Sequence, residues 1–121
     1  MPIKNILVVD DSPTDRQHLS DMLAKSGYAV TFAESAEEAL VKVKQKRPDL
    51  VLMDVVMPGQ NGYQATRTLS KDESTKNIPV IICTTKGQET DRIWGMRQGA
   101  RDYIVKPVNQ AELLAKISAL G

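Results

Sequence analysis

Five polar residues stand where apolar runs of the sequence stop. Asp10 and Asp11 follow "NILVV", Asp54 follows "LVLM", Thr84 follows "PVIIC" and Lys106 follows "YIV". If three carboxylates, a hydroxyl and an ammonium spread over most of the chain are brought together, the carboxylates repel one another, and one lysine cannot neutralise all three. A hard divalent cation can. All-oxygen ligation selects Mg²⁺, with Mn²⁺ as a substitute. Mg²⁺ held by few protein ligands keeps waters and takes a phosphoryl group, so phosphoryl chemistry is the expectation.

The elements that must position these groups can be read from the same runs. "NILVV" (5–9), "AVTFA" (29–33), "LVLM" (50–53), "PVIIC" (79–83) and "YIV" (103–105) are too short for buried helices and read as strands, most of them apolar on both faces. Helical start signals lie between them. Ser12 and Pro13 fit N-cap and first-turn positions ahead of Leu19, Met22 and Leu23. Ser35 with Glu38, and Asn109 with Glu112, have capping-box spacing ahead of apolar periodicity. The segments after Gly62 and Gly87 have suitable length but weaker signals. Five alternations of strand and helix predict an open parallel α/β sheet with helices on both faces. Right-handed crossovers then put every strand's carboxyl end, and with it all five polar residues, on the one edge where such folds bind ligands.

Composition narrows the function. At 121 residues, 41% hydrophobic and 26% charged, the chain has the size of one domain, 1–121, with no room for a second output domain. Sixteen Lys plus Arg against fifteen Asp plus Glu give a net charge of +1, which offers no global field for nucleic acid or anionic lipid. The start "MPIKNILVVDD" is neither a signal peptide nor a membrane span, which needs roughly 20 apolar residues, so a cytoplasmic location without membrane insertion is expected. Cys83 is the single cysteine and reads as a small buried hydrophobe.

"VVDDS", "LMDVVMPGQNG", "PVIICTTKG" and "DYIVKPV", in that order and spacing, resemble the receiver domain of two-component response regulators, the CheY-like fold. The resemblance runs from about Lys4 to Leu120. The longer match "KGQETDRIWGMRQGARDYIVKPV" is similar to the stand-alone receivers of type IV pilus twitching motility, the PilG and PilH type. The fold implied is a doubly wound, flavodoxin-like (βα)5 domain with strand order 2-1-3-4-5.

What the resemblance implies for the site is specific. Asp54 would be the phosphoacceptor, attacking a phosphoryl group carried by phosphohistidine on a CheA-like sensor histidine kinase. Asp11, Asp54 and the main-chain carbonyl of Val56 would ligate Mg²⁺ directly, and Asp10 through a metal-bound water. Lys106 and the Thr84 hydroxyl would contact phosphoryl oxygens, and the Lys106–Pro107 peptide bond would be cis. Thr84 and Tyr103 would form the switch, altering a surface on the fourth helix, fifth strand and fifth helix that binds a downstream protein. Val56 and Lys86 would flank the path of the hydrolytic water, and Thr85 stands where many receivers have alanine. The domain would be a monomer or a weak, phosphorylation-linked dimer, with no enzymatic turnover beyond its own phosphotransfer and hydrolysis. A phosphate sink and a degenerate receiver that only binds proteins are the alternatives within the family.

Two other classes fit poorly. A haloacid-dehalogenase-type hydrolase needs a D-x-D nucleophile motif and normally a cap domain, whereas "DDSPTD" lacks that spacing. A flavodoxin-like FMN carrier needs a phosphate-cradling loop after the first strand, where two aspartates would repel the phosphate. His18 reads as a surface or packing residue, "KVKQKRP" as the solvated end of the second helix, and Trp94 as a packing tryptophan ahead of a partner-binding anchor.

Overall fold

The computed structural model describes residues 2–120. Its strands are β1 (Asn5–Val9), β2 (Ala29–Ala33), β3 (Leu50–Met53), β4 (Val80–Thr84) and β5 (Asp102–Val105). They alternate with α1 (Pro13–Lys25), α2 (Ala36–Gln45), α3 (Gly62–Lys71), α4 (Glu89–Arg97) and α5 (Gln110–Leu120). All pairings are parallel and the sheet order is β2-β1-β3-β4-β5, as the resemblance implied.

Period-2 alternation explains why the central strands are apolar on both faces. In β1 and β3, Leu7, Val9, Val51 and Met53 face one layer, while Ile6, Val8, Leu50 and Leu52 face the other. The first layer is closed by Ala36, Ala39 and Val43 of α2 with Ala65 and Leu69 of α3, the second by Leu19 and Leu23 of α1 with Leu113 and Ile117 of α5. β2 is an edge strand, and Ala29 and Thr31 remain exposed. β4 starts one residue later than the apolar run suggests, because Pro79 has no N–H to give the ladder; its carbonyl accepts from Val51.

The helix starts follow the capping residues. Ser12 accepts the Asp15 N–H (3.3 Å), Ser35 the Glu38 N–H (3.1 Å) and Asn109 the Glu112 N–H (2.9 Å). α3 has the fullest cap, a reciprocal box between Asn61 and Gln64. Gly62, which opens that helix, is sterically required. A Cβ there would lie 2.0 Å from the Asp54 carbonyl oxygen, so glycine lets α3 start directly against the end of β3.

Candidate functional site

The sheet ladder extends one residue past the strands and fixes the polar groups in place. The Asp10 N–H donates to the Ala33 carbonyl (3.1 Å), the Asp54 N–H to the Val9 carbonyl (2.9 Å) and the Lys106 N–H to the Thr84 carbonyl (2.8 Å). Asp10, Asp54 and Lys106 are thus each anchored to the end of a neighbouring strand. Asp10, Asp54 and Thr84 are buried and Asp11 is exposed, so the cluster is a half-open cup at the sheet edge.

One carboxylate oxygen from each of Asp10, Asp11 and Asp54 lies within 4.8 Å of the other two. Three oxygen donors at that separation, two of them buried, are the donor set of a hard divalent cation and fit Mg²⁺. Lys106 reaches into the group. Its Nζ lies 2.6 Å from Asp10 Oδ2, 3.0 Å from Asp15 Oδ2 and 3.8 Å from Asp54 Oδ2. Burial raises the pKa of Asp54, the charge of Asp10 adds to that, and the Lys106 ammonium pulls it back. Burial disfavours the charged form of Lys106 too, yet its hydrogen bonds to Asp10 and Asp15 and the charge of Asp54 outweigh it and raise its pKa. Asp54 Oδ1 accepts the Val55 N–H at 2.8 Å, which fixes the plane of the carboxylate.

A second network runs from Thr84 to α4. The Lys86 N–H donates to Thr84 Oγ1 (3.4 Å), and the Lys86 carbonyl accepts from the Tyr103 hydroxyl (2.7 Å). The main chain of Lys86, rather than its exposed ammonium, therefore joins the two residues expected to form the switch. Tyr103 is fully buried, its hydroxyl 3.2 Å from that of Tyr63, which in turn donates to the Asp91 carbonyl (3.1 Å). Burial raises the pKa of the Tyr103 phenol, and the Arg92 guanidinium stands 5.4 Å from its ring centroid. The Lys106–Pro107 bond is cis.

Other sequence readings find their places. Cys83 is buried and its thiol is pushed up to about 12 by burial, as an inert core residue should be. His18 and the Val56 side chain are exposed. Trp94 departs from the packing reading: it is 51% exposed and shares the surface of α4 with Ile93 and Met96. Sequence reasoning missed Asp15, Arg16 and Tyr63. Arg16 donates to the Asp10 carbonyl (2.7 Å) and pairs with Glu34. Asp15 was within "DDSPTD", on the first turn of α1 facing the strand ends, and that helical position was the available signal. Tyr63 carried no signal, because its partner lies 40 residues away.

The fold and this edge define a class. The model of the response regulator receiver domain matches residues 6–118, and the chain belongs to that family. Among its relatives is Protein PilH of Pseudomonas aeruginosa, 56% identical over 115 residues that make up 95% of each chain. The phosphate regulon transcriptional regulatory protein PhoB of the same organism is 39% identical over 97% of this chain, which spans 51% of PhoB. In structure, the chemotaxis protein CheY4 of Vibrio cholerae superposes with a TM-score of 0.90 at 31% identity, covering 98% of this chain and 99% of that one.

Proposed function

We propose that this chain is a stand-alone receiver that takes a phosphoryl group on Asp54 and thereby switches a protein-binding surface. The observation that carries the reading is the convergence of Asp54 with two further aspartates and Lys106 at one sheet edge. In the transfer, an Asp54 carboxylate oxygen attacks the phosphorus of a phosphohistidine on a sensor histidine kinase. The P–N bond breaks, its electron pair stays on the imidazole nitrogen, and an acyl phosphate remains on Asp54. Asp10, Asp11, Asp54 and the Val56 carbonyl would hold Mg²⁺, which when bound supplies charge stabilisation to the transferring phosphoryl oxygens. Lys106 bonds one phosphoryl oxygen and the Thr84 hydroxyl donates to another. Asp54 is fixed by the Val55 N–H throughout.

The output follows from Thr84. When its hydroxyl turns to the phosphoryl group, its bond to the Lys86 N–H is lost, and the loop that holds the Tyr103 hydroxyl is released to shift α4. The half-exposed Ile93, Trp94 and Met96 supply apolar anchors there for a downstream protein. The similarity to Protein PilH supports an output in type IV pilus twitching motility, and the receiver domain implies a phosphodonor such as a histidine kinase. No helix among the described residues is long and apolar enough to cross a membrane.

Intact mass after incubation with Mg²⁺ and acetyl phosphate tests the chemistry. One added phosphoryl group is expected, absent in Asp54→Asn and in metal-free samples. No adduct under rapid sampling in the cold would make the domain a degenerate receiver.

A further inference from the structure

We propose that Asp15 is a positioning residue that holds Lys106 back from Asp54 and so restrains phosphoryl acceptance. Lys106 makes two charge-assisted hydrogen bonds, to Asp10 at 2.6 Å and to Asp15 at 3.0 Å, while Asp54 stands outside bonding distance at 3.8 Å. The ammonium therefore faces the phosphoacceptor without being bonded to it. Of its three carboxylate partners, Asp10 and Asp54 belong to the cation-binding group and Asp15 does not. A cation that draws on Asp10 and Asp54 leaves Asp15 as the partner that retains Lys106.

The placement of Asp15 is built rather than accidental. Its N–H is bonded to the N-cap hydroxyl of Ser12, and the next residue, Arg16, ties α1 to the Asp10 carbonyl at the end of β1. An acid in the first turn of a helix is ordinarily explained by the helix dipole. That role needs no partner, whereas this side chain reaches a lysine 91 residues away in sequence. The Lys106 side chain is 11% exposed and that of Asp15 44%, so the pair is partly screened and its effect is a modest adjustment.

The inference rests on Asp54 being the phosphoacceptor, and the test separates the two. The Asp15→Asn variant is compared with wild type and with Asp15→Glu, in the original background and with Lys106→Met. Two readouts are taken: the ¹⁵Nζ and ¹³Cε resonances of Lys106 without phosphodonor, and the rate of phosphorylation by acetyl phosphate in saturating Mg²⁺. Asp15→Asn is expected to move the Lys106 resonances and to raise the rate about two- to fivefold, with Asp15→Glu close to wild type. The rate effect is expected to disappear in the Lys106→Met background. Unmoved Lys106 resonances would overturn the proposal. So would a rate effect that persists without Lys106, because it would come from the lost negative charge alone. If wild type takes no phosphoryl group, the receiver reading fails while the Lys106 resonances still decide the ion pair.

Discussion

Asp54 is held where its charge is unwelcome. Burial raises its pKa and Lys106, at 3.8 Å, compensates only in part. A carboxylate whose pKa is higher in the folded chain than unfolded costs stability as pH rises above the unfolded value, and costs it in full above the folded one. That cost is absent below the unfolded value of 3.8. In metal-free buffer, Asp54→Asn is therefore expected to unfold at a higher urea concentration than wild type at neutral pH, and the advantage should shrink as pH falls toward 3.8. A variant less stable than wild type at neutral pH would mean that Lys106 more than compensates the aspartate. The same unfavourable charge supplies part of the drive toward a divalent cation, which relieves the repulsion that one lysine leaves.

At the scale of elements, α4 is shaped by the residue it covers. Glycine inside a helix costs about 1 kcal/mol relative to alanine. Gly95 is nevertheless buried in α4, because a Cβ there would lie 2.8 Å from Ile82 Cδ1 and 3.0 Å from Tyr103 Cε2. The glycine lets the helix close over the tyrosine ring. For Gly95→Ala, overpacking of about 1 to 3 kcal/mol opposes the propensity gain of about 1, so a net loss of about 1 kcal/mol is expected. Thermal unfolding would measure that loss, and the Tyr103 ring resonances should shift with it. An alanine variant as stable as wild type, with an unmoved ring, would show that α4 lifts freely from Tyr103.

The position of these elements was largely legible, and the networks between them were not. Ser12, Ser35 and Asn109 announce α1, α2 and α5 through their own chemistry. The same kind of signal was present in "NGYQ", whose Asn61–Gln64 box starts α3, although the segment reads as a weak helix by apolar periodicity. The five strand-end residues were legible because a parallel sheet sends all carboxyl ends to one edge. Tyr63 was not, since a hydroxyl pair across 40 residues leaves no periodic trace. Nor was the part played by the Lys86 backbone, which any residue with an N–H and a carbonyl could supply.

Over the whole molecule, Asp72 and Asp49 have a pH behaviour opposite to that of Asp54. Asp72, at the end of α3, bonds Lys44 of α2 at 2.9 Å and also accepts from the Ser74 N–H and hydroxyl. The Lys44 hydrogen bond and those from Ser74 lower its pKa to about 2. Its contribution to stability is thus complete above the unfolded value of 3.8 and is lost as pH falls toward about 2. Asp72→Asn is expected to unfold more readily than wild type above pH 3.8, with the two curves converging on acidification. Denaturant midpoints across that range would check it, and parallel curves would deny the linkage. Asp49, which accepts the Lys4 and Asn5 N–H groups at the opposite edge of the sheet, is also lowered, chiefly by the Asn5 bond. Lowered carboxylates thus stabilise the frame, while the raised carboxylate sits at the edge where chemistry is proposed.

The proposed switch turns on one coupling, in which phosphoryl transfer to Asp54 reaches α4 through Thr84, the Lys86 backbone and Tyr103. Amide and side-chain NMR shifts of the chain, recorded with Mg²⁺ before and after acetyl phosphate, test it most directly. Shifts are expected to extend from Asp54 through Thr84 and Lys86 to Tyr103, Ile93 and Trp94, with none of these changes in Asp54→Asn. Shifts confined to the immediate surroundings of Asp54, with α4 and Tyr103 unmoved, would contradict it.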